Sequence, residues 1–358
     1  MTTIHARLSA SSAKRWMNCP GSLNFIDSLP DFLKDTSSDF ADEGTEAHAE
    51  GERCLVSGED SSNEYVQVYL DAVREIAGED SALFIEERVE FGKDMFGTAD
   101  AIIVDFYNHS LNVVDLKYGV GVAVEAEDNI QMSAYALGAT KKFGTGFDTI
   151  TMTIVQPRGH HEKGPVRSWT VPIAYLEEFE QELTLAAARV DAPNAPLSAG
   201  SWCKFCPGVS TCPAYKSALI EGMANHSLAA SLETAQMLGT WKASLNRVAW
   251  KCLIEGRPIA GLKLVEGRST RKWKDAIAAS EALKDRPEAF TSPVLKSPAQ
   301  IESAMKKEGK AFTKEHAFKP RGNPTVASAK DKRPEFSRAS ADFADLVFES
   351  PEGEEEIE

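Results

Sequence analysis

This 358-residue sequence predicts an α/β fold: a mixed sheet flanked by helices, followed by a mostly helical carboxy-terminal extension. Three observations carry that expectation. Helical spacing before Gly78 gives way to period-two alternation, then to helix and to strand again, the order of a mixed core rather than a bundle or a sandwich. Cys19 near the start and Cys203, Cys206 and Cys212 near residue 205 bracket this whole stretch. Beyond Tyr215 the texture changes once more, toward a long amphipathic segment and then a region rich in Pro, Lys and Arg.

The elements follow in order. Residues 9 to 18 read as a short helix that serines can cap, ending at Cys19-Pro20-Gly21. Two helices are expected at 44 to 56 and 64 to 77, the second from the apolar spacing of Tyr65, Val68, Tyr69, Ala72, Val73 and Ile76, with Gly58 and Gly78 as stops. Leu83, Ile85, Val89 and Phe91 then alternate with charged residues, and strands at 98 to 106 and 111 to 116, joined by Tyr107-Asn108-His109-Ser110, complete an antiparallel meander. A helix at 129 to 142 and a strand at 149 to 155 come next. After the loop Pro157 to Pro165, a strand runs through Trp169 and Val171, and a helix covers 174 to 190. Pro193, Pro196 and Gly200 form a linker into the cysteines, and 228 to 255 reads as one amphipathic helix. The expected division is 1–215, a domain closed by its cysteines; 216–345, an accessory region; and 346–358, an acidic tail expected to be disordered.

Composition narrows the function. No apolar run is long enough to span a bilayer and the first residues carry no signal-peptide stretch, so a cytoplasmic protein with no membrane partner is expected. In a reducing compartment the clustered cysteines are read as metal ligands or catalytic thiols before disulfides, and the isolated Cys54 and Cys252 as buried apolar residues. A formal net charge of -15 argues against a generic cationic nucleic-acid coat. It does not exclude a nuclease, because five glutamates lie in the last seven residues and metal-binding carboxylates also count as negative.

The chemistry concentrates between residues 43 and 135. Gly97-Thr98-Ala99-Asp100 leads Asp100 into one strand, and Asp115-Leu116-Lys117 lies on the next, with Asp115 and Lys117 on one face and Leu116 turned to the core. Two carboxylates from adjacent strands make a hard oxygen site for Mg²⁺ or Mn²⁺, and a lysine beside them can position water and offset charge on phosphate. An isolated Asp-x-Lys is ordinarily an exposed strand face, so its neighbours decide its meaning. His48 and Glu52 are one helical turn apart, as metal ligand and orienting partner or simply as a surface pair. Gln131 and Tyr135 share a face of the helix that follows Lys117.

Gly44…His48…Glu52, Gly97-Thr98-Ala99-Asp100, Asp115-Leu116-Lys117 and Gln131…Tyr135, in that order, resemble the PD-(D/E)XK nucleases of the RecB type. Cys19 with Cys203-x2-Cys206-x5-Cys212 resembles the iron–sulfur staple of CRISPR-associated RecB-like exonucleases and of the AddB subunit of helicase–nucleases. The resemblance covers about residues 5 to 215, and it is the joint order of its elements that is specific. It implies a restriction-endonuclease-like core and a metal-dependent deoxyribonuclease, chiefly an exonuclease, acting on single-stranded DNA or free ends. It further implies that His48, Asp100, Asp115 and the Leu116 carbonyl hold the metal and that Lys117 positions the attacking water, with Gln131 and Tyr135 contacting DNA and bracing the site. Asp115 stands where many relatives have Glu. The extension resembles that of phage and prophage proteins, so recombination or replication proteins are the expected partners.

For the cysteines, four thiols without a nearby histidine suit a [4Fe–4S] cluster or a Cys₄ zinc, and the resemblance favours the cluster. Arg158, His160, His161 and Lys163 after the strand at 149 to 155 are candidate phosphate contacts, as are Arg268, Arg271, Lys272 and Lys274, among which Trp273 would stack on a base if exposed. Two other functions compete: a scaffold or DNA-binding subunit of nuclease fold without cleavage, and a zinc-stapled adaptor. Intact Asp100, Asp115 and Lys117 favour the enzyme.

Overall fold

The computed structural model describes residues 6–34, 39–120, 123–291, 294–320 and 322–336; the expected tail at 346–358 lies outside them. The chain divides into two units, Met1–Ser244 and Leu245–Glu358. In the first, α1 (Ala13–Asn18), α2 (Ser22–Ser28), α3 (Asp39–Ser57) and α4 (Glu64–Ile76) precede β1 (Ala82–Gly92), β2 (Met95–Asp105) and β3 (Ser110–Leu116). After these come α5 (Ile130–Phe143), β4 (Thr149–Val155), β5 (Val166–Val171), α6 (Ile173–Val190) and α7 (Pro213–Ala224), and α8 (Leu228–Ile254) carries the chain across the division. The expected short helix at 9 to 18 is a 3₁₀ turn followed by α1.

The five strands form one mixed sheet in the order β1-β2-β3-β4-β5. β1, β2 and β3 are antiparallel hairpins, β3 and β4 are parallel, and β5 returns antiparallel. A parallel step needs a crossover, and α5 supplies it. Turn chemistry sets the hairpins: Asp94 and His109 take left-handed φ of 58° and 50°, and the Asp105 carboxylate accepts the N–H groups of Tyr107 and Asn108.

Period-two alternation gives the sheet two buried faces. Ile102, Val104, Leu111 and Val113 join a core with Trp16 of α1, Met132 and Leu137 of α5, and Leu176 and Leu183 of α6. Ala101, Ile103, Val114 and Leu116 join a second with Ala47 and Cys54 of α3 and Val66, Tyr69, Leu70 and Val73 of α4. Nine consecutive residues of α5, Met132 to Thr140, are buried. Its small residues allow that approach: a Cβ on Gly138 would stand 2.8 Å from Val89 Cβ. A third, smaller core surrounds Cys203, Val209, Cys212, Tyr215 and Leu219, and α8 closes it through Trp241 Nε1, which donates to the Ser210 carbonyl at 2.9 Å.

Among its described residues the second unit contains helices α9 (Ala276–Ala282) and α10 (Pro298–His316) and six short strands that sequence periodicity did not reveal. These strands are β6 (Leu262–Glu266), β7 (Lys272–Trp273), β8 (Phe290–Thr291), β9 (Val294–Leu295), β10 (Ala317–Phe318) and β11 (Pro324–Ser328), paired β6 with β11, β7 with β10 and β8 with β9. Strands of two to five residues are too short to show alternation. Among the described residues no helix is long and apolar enough to cross a membrane.

Candidate functional site

The site forms where β2 and β3 part. Their ladder ends at Ala101 opposite Val114, and beyond it the Asp100 carboxylate replaces a backbone carbonyl: its Oδ2 accepts the Leu116 N–H at 2.7 Å. The same oxygen lies 3.2 Å from His48 Nδ1, on α3. Leu116 itself is fully buried in the second core, which fixes the backbone on which Asp115 and Lys117 stand.

Asp115 is buried, and its Oδ1 accepts from Gln131 Nε2 at 3.3 Å. Its Oδ2 sits 2.6 Å from Lys117 Nζ, an ion pair that compensates this buried oxygen. Lys117 Nζ donates to Gln131 Oε1 at 3.1 Å, and Gln131 Nε2 also donates to the Tyr135 hydroxyl at 3.2 Å. Gln131 therefore ties lysine, carboxylate and tyrosine together. Its own place is set by Asn129, whose side chain caps α5 by accepting the Gln131 and Met132 N–H groups. Gly97 is needed next to it, since a Cβ there would lie 2.8 Å from Tyr135 Cε1 and 3.3 Å from Ala10 Cβ.

Glu86 belongs to this site although the sequence did not single it out. It lies across from Asp100, between the pairs Ile85 with Ala101 and Glu87 with Ala99, and its φ is +47°. Left-handed backbone in mid-strand costs a non-glycine residue about 1–2 kcal/mol, and such strain collects at functional positions. Ligand atoms of His48, Glu86 and Asp100 all lie within 4.8 Å of one another. The available signal was modest, two successive glutamates breaking an apolar strand at Ile85-Glu86-Glu87. Tyr69 of α4 is a second residue beside the site, buried and close enough for Asp100, Glu86 and Asp115 to help hold its phenol protonated.

The protonation states are coupled. Burial, and then the Asp100 charge, push the Glu86 carboxyl up to about 7. Burial likewise raises Asp115, against the opposing pull of the Lys117 ammonium. Burial works to lower His48, but its hydrogen bond to Asp100 and the charges of Asp100 and Asp115 outweigh it, and the imidazole is raised. Carboxylates crowded this way relieve their repulsion by holding protons, or through a cation where one binds. The ligand atoms of His48, Glu86 and Asp100 fit a divalent metal.

The other expected residues fall into place unevenly. Glu52 is exposed and adds its charge to the field at Glu86, while His48 takes Asp100 as its partner. Arg158 bonds Glu43 at 2.8 Å, His161 pairs with Glu125 at 2.9 Å, and His160 and Lys163 are exposed. In the second unit Trp273 closes a small core: Nε1 donates to the Lys296 carbonyl and the ring meets Phe312 edge-on. Around it Arg271 pairs with Glu302 and Lys274 donates to the Glu315 carbonyl, whereas Arg268 and Lys272 are exposed.

Cys19, Cys203, Cys206 and Cys212 are free thiols, close enough for their charges to interact. The segments bearing them are joined by backbone: Gly21 N–H donates to Pro196 O at 3.0 Å, and a Cβ on Gly21 would strike Ala195 O. Ser198 N–H donates to Cys19 Sγ at 3.3 Å, and Cys203 Sγ to the Ser198 carbonyl at 3.9 Å. Burial pushes the Cys203 thiol up to about 11 and raises Cys206, and the charges of the other cysteines add to both shifts. Thiols gathered in an apolar pocket suit a soft metal centre, which would supply the positive charge that thiolates lack there.

Among solved structures, an alkaline exonuclease (LHK-Exo) from Laribacter hongkongensis is 13% identical over 44% of this chain and 84% of its own, with a TM-score of 0.24. The crystal structure of SSO0001 is similar at 13% identity over 60% of this chain and 89% of its own, with a TM-score of 0.29. With scores this low, neither similarity bears on function. A family described as protein of unknown function (DUF2800) matches residues 5–64 and 57–334, and the chain belongs to that family.

Proposed function

We propose that the first unit is a divalent-metal-dependent deoxyribonuclease that hydrolyses phosphodiester bonds at DNA ends. One observation carries the reading: Asp100 and Asp115, both buried, converge from parting strands with Lys117 2.6 Å from Asp115 and His48 3.2 Å from Asp100.

His48, Glu86, Asp100, Asp115 and the Leu116 carbonyl would hold Mg²⁺ or Mn²⁺. When bound, such a cation supplies Lewis acidity and a more acidic water. Lys117 would orient the attacking water and offset the charge that builds on the phosphoryl oxygens. Gln131 keeps the ammonium in place, and Tyr135, with its phenol pushed up by burial, stays a neutral brace. Cys19, Cys203, Cys206 and Cys212 would hold a [4Fe–4S] cluster as a structural clasp, with zinc as the alternative that iron and sulfide analysis separates. Work on ends fits a role in phage replication or recombination, alongside the proteins of those processes.

The test of end dependence compares linear and covalently closed DNA in Mn²⁺. Loss of linear DNA with the circle intact supports an exonuclease, and equal cutting of both makes the enzyme an endonuclease. Failure to cut either, with metal bound, leaves the scaffold reading.

A further inference from the structure

Outside the carboxylate cluster, three side chains the chemistry does not use form a cage on the α3 and α4 side of the sheet. Lys117 and Tyr118 leave β3 in opposite directions, Lys117 to Asp115 and Tyr118 to the second core, where Asn63 Nδ2 donates to its hydroxyl at 2.9 Å. Tyr65, 38% exposed on the first turn of α4, meets Tyr118 edge-to-face with ring centroids 6.3 Å apart. The Arg158 guanidinium lies over both rings, 4.6 Å from the centroid of Tyr118 and 5.8 Å from that of Tyr65. Glu43 of α3 holds it there at 2.8 Å.

Tyr118, Arg158 and the Glu43 that holds it are each a short step along the chain from the site. Tyr118 follows Lys117, Arg158 follows the β4 end whose Val155 carbonyl accepts the Lys117 N–H, and Glu43 precedes His48 on α3 by about 7.5 Å of helix axis. The cage thus stands beyond the carboxyl ends of the parallel pair β3 and β4, the place where open α/β sheets collect ligands. Two half-exposed rings with a guanidinium across them offer a π face and a cation together. An unpaired nucleobase with its phosphate matches both, and a base within a duplex exposes no face to stack on.

We infer that Tyr65, Tyr118 and Arg158 form a stacking subsite for an unpaired base of the strand entering the site, with Glu43 as a latch that Arg158 exchanges for the phosphate. This rests on the nuclease reading and deepens it, because it makes the preferred substrate a single-stranded terminus. A bolt between α3 and the loop after β4 would have the same contacts but a different response to substitution.

Binding of a short, dye-labelled oligothymidylate is measured by fluorescence anisotropy in chelator, with Mn²⁺-dependent cleavage by the same preparation measured alongside. Tyr65→Ala is expected to weaken binding on the order of tenfold, as removal of one stacking ring does, and Tyr65→Phe to retain it. On the same strand made abasic at its end, Tyr65→Ala should have no further effect. Glu43→Gln should tighten binding by freeing Arg158, whereas a broken bolt would lower the melting temperature without tightening. Unchanged affinity in Tyr65→Ala, equal losses on intact and abasic strands, or no gain in Glu43→Gln overturns the subsite. Cleavage by wild type with those results overturns the subsite alone. The expected binding pattern without any cleavage overturns the nuclease alone.

Discussion

Glu86 shows how much a single residue can say that its sequence context conceals. Its raised carboxyl, with the raised Asp115 and His48, means that the metal-free fold binds protons more tightly than the unfolded chain at three neighbouring groups. The sign follows from linkage: a group with a raised folded pKa contributes most below its unfolded value and loses that contribution as pH rises through the folded one. Chelated protein should therefore melt lower at pH 8 than at pH 5.5. Glu86→Gln should flatten the upper part of this fall, around pH 7, in thermal melts across that range. Mn²⁺ should restore stability at pH 8 in wild type by binding the folded state. At the same scale Gln131→Ala should slow cleavage by about tenfold or more, because it releases Lys117 and Asp115 while leaving the sheet intact. A melting temperature close to wild type, measured beside the rate, separates this from unfolding.

Elements explain why these residues meet. Asn129 starts α5 so that Gln131 and Tyr135 face Asp115, and Gly97 lets the Tyr135 ring lie against β2. Gly97→Ala should cost about 1–3 kcal/mol through overpacking, read as a drop of several degrees in melting temperature. Much of this was legible beforehand, because α4, α5 and β1 to β5 have the lengths and periods that physical chemistry requires of half-buried elements. Strand and helix spacing put Asp115 with Lys117, and Gln131 with Tyr135, on shared faces, and the family resemblance joined them with Asp100 into one expected site. Glu86 could not be placed, since its role comes from a left-handed φ opposite Asp100, a property of pairing rather than of local pattern. Nor could the fate of Trp273, where the tertiary neighbours Phe312 and Lys296 decide between stacking platform and core.

At the scale of the molecule, hydrogen bonds bring the start of the first unit to residues 191 to 198. Gly21 and Pro196 join by backbone, Ser198 bridges Asn18 and Cys19, and Arg7 reaches Asp191 at 3.0 Å. Cys206→Ala should lower the melting temperature and abolish visible absorbance if a cluster is held there, whereas protein that is colourless and contains zinc assigns the site to that metal. The central claim concerns the other site, and the most direct measurement is release of label from end-labelled DNA in Mn²⁺ by wild type and by Lys117→Ala. Steady release by wild type, with at least a hundredfold loss in a Lys117→Ala protein that still melts cooperatively, is the predicted result. Equal release by the two proteins, or none by wild type with Mn²⁺ bound, would contradict it.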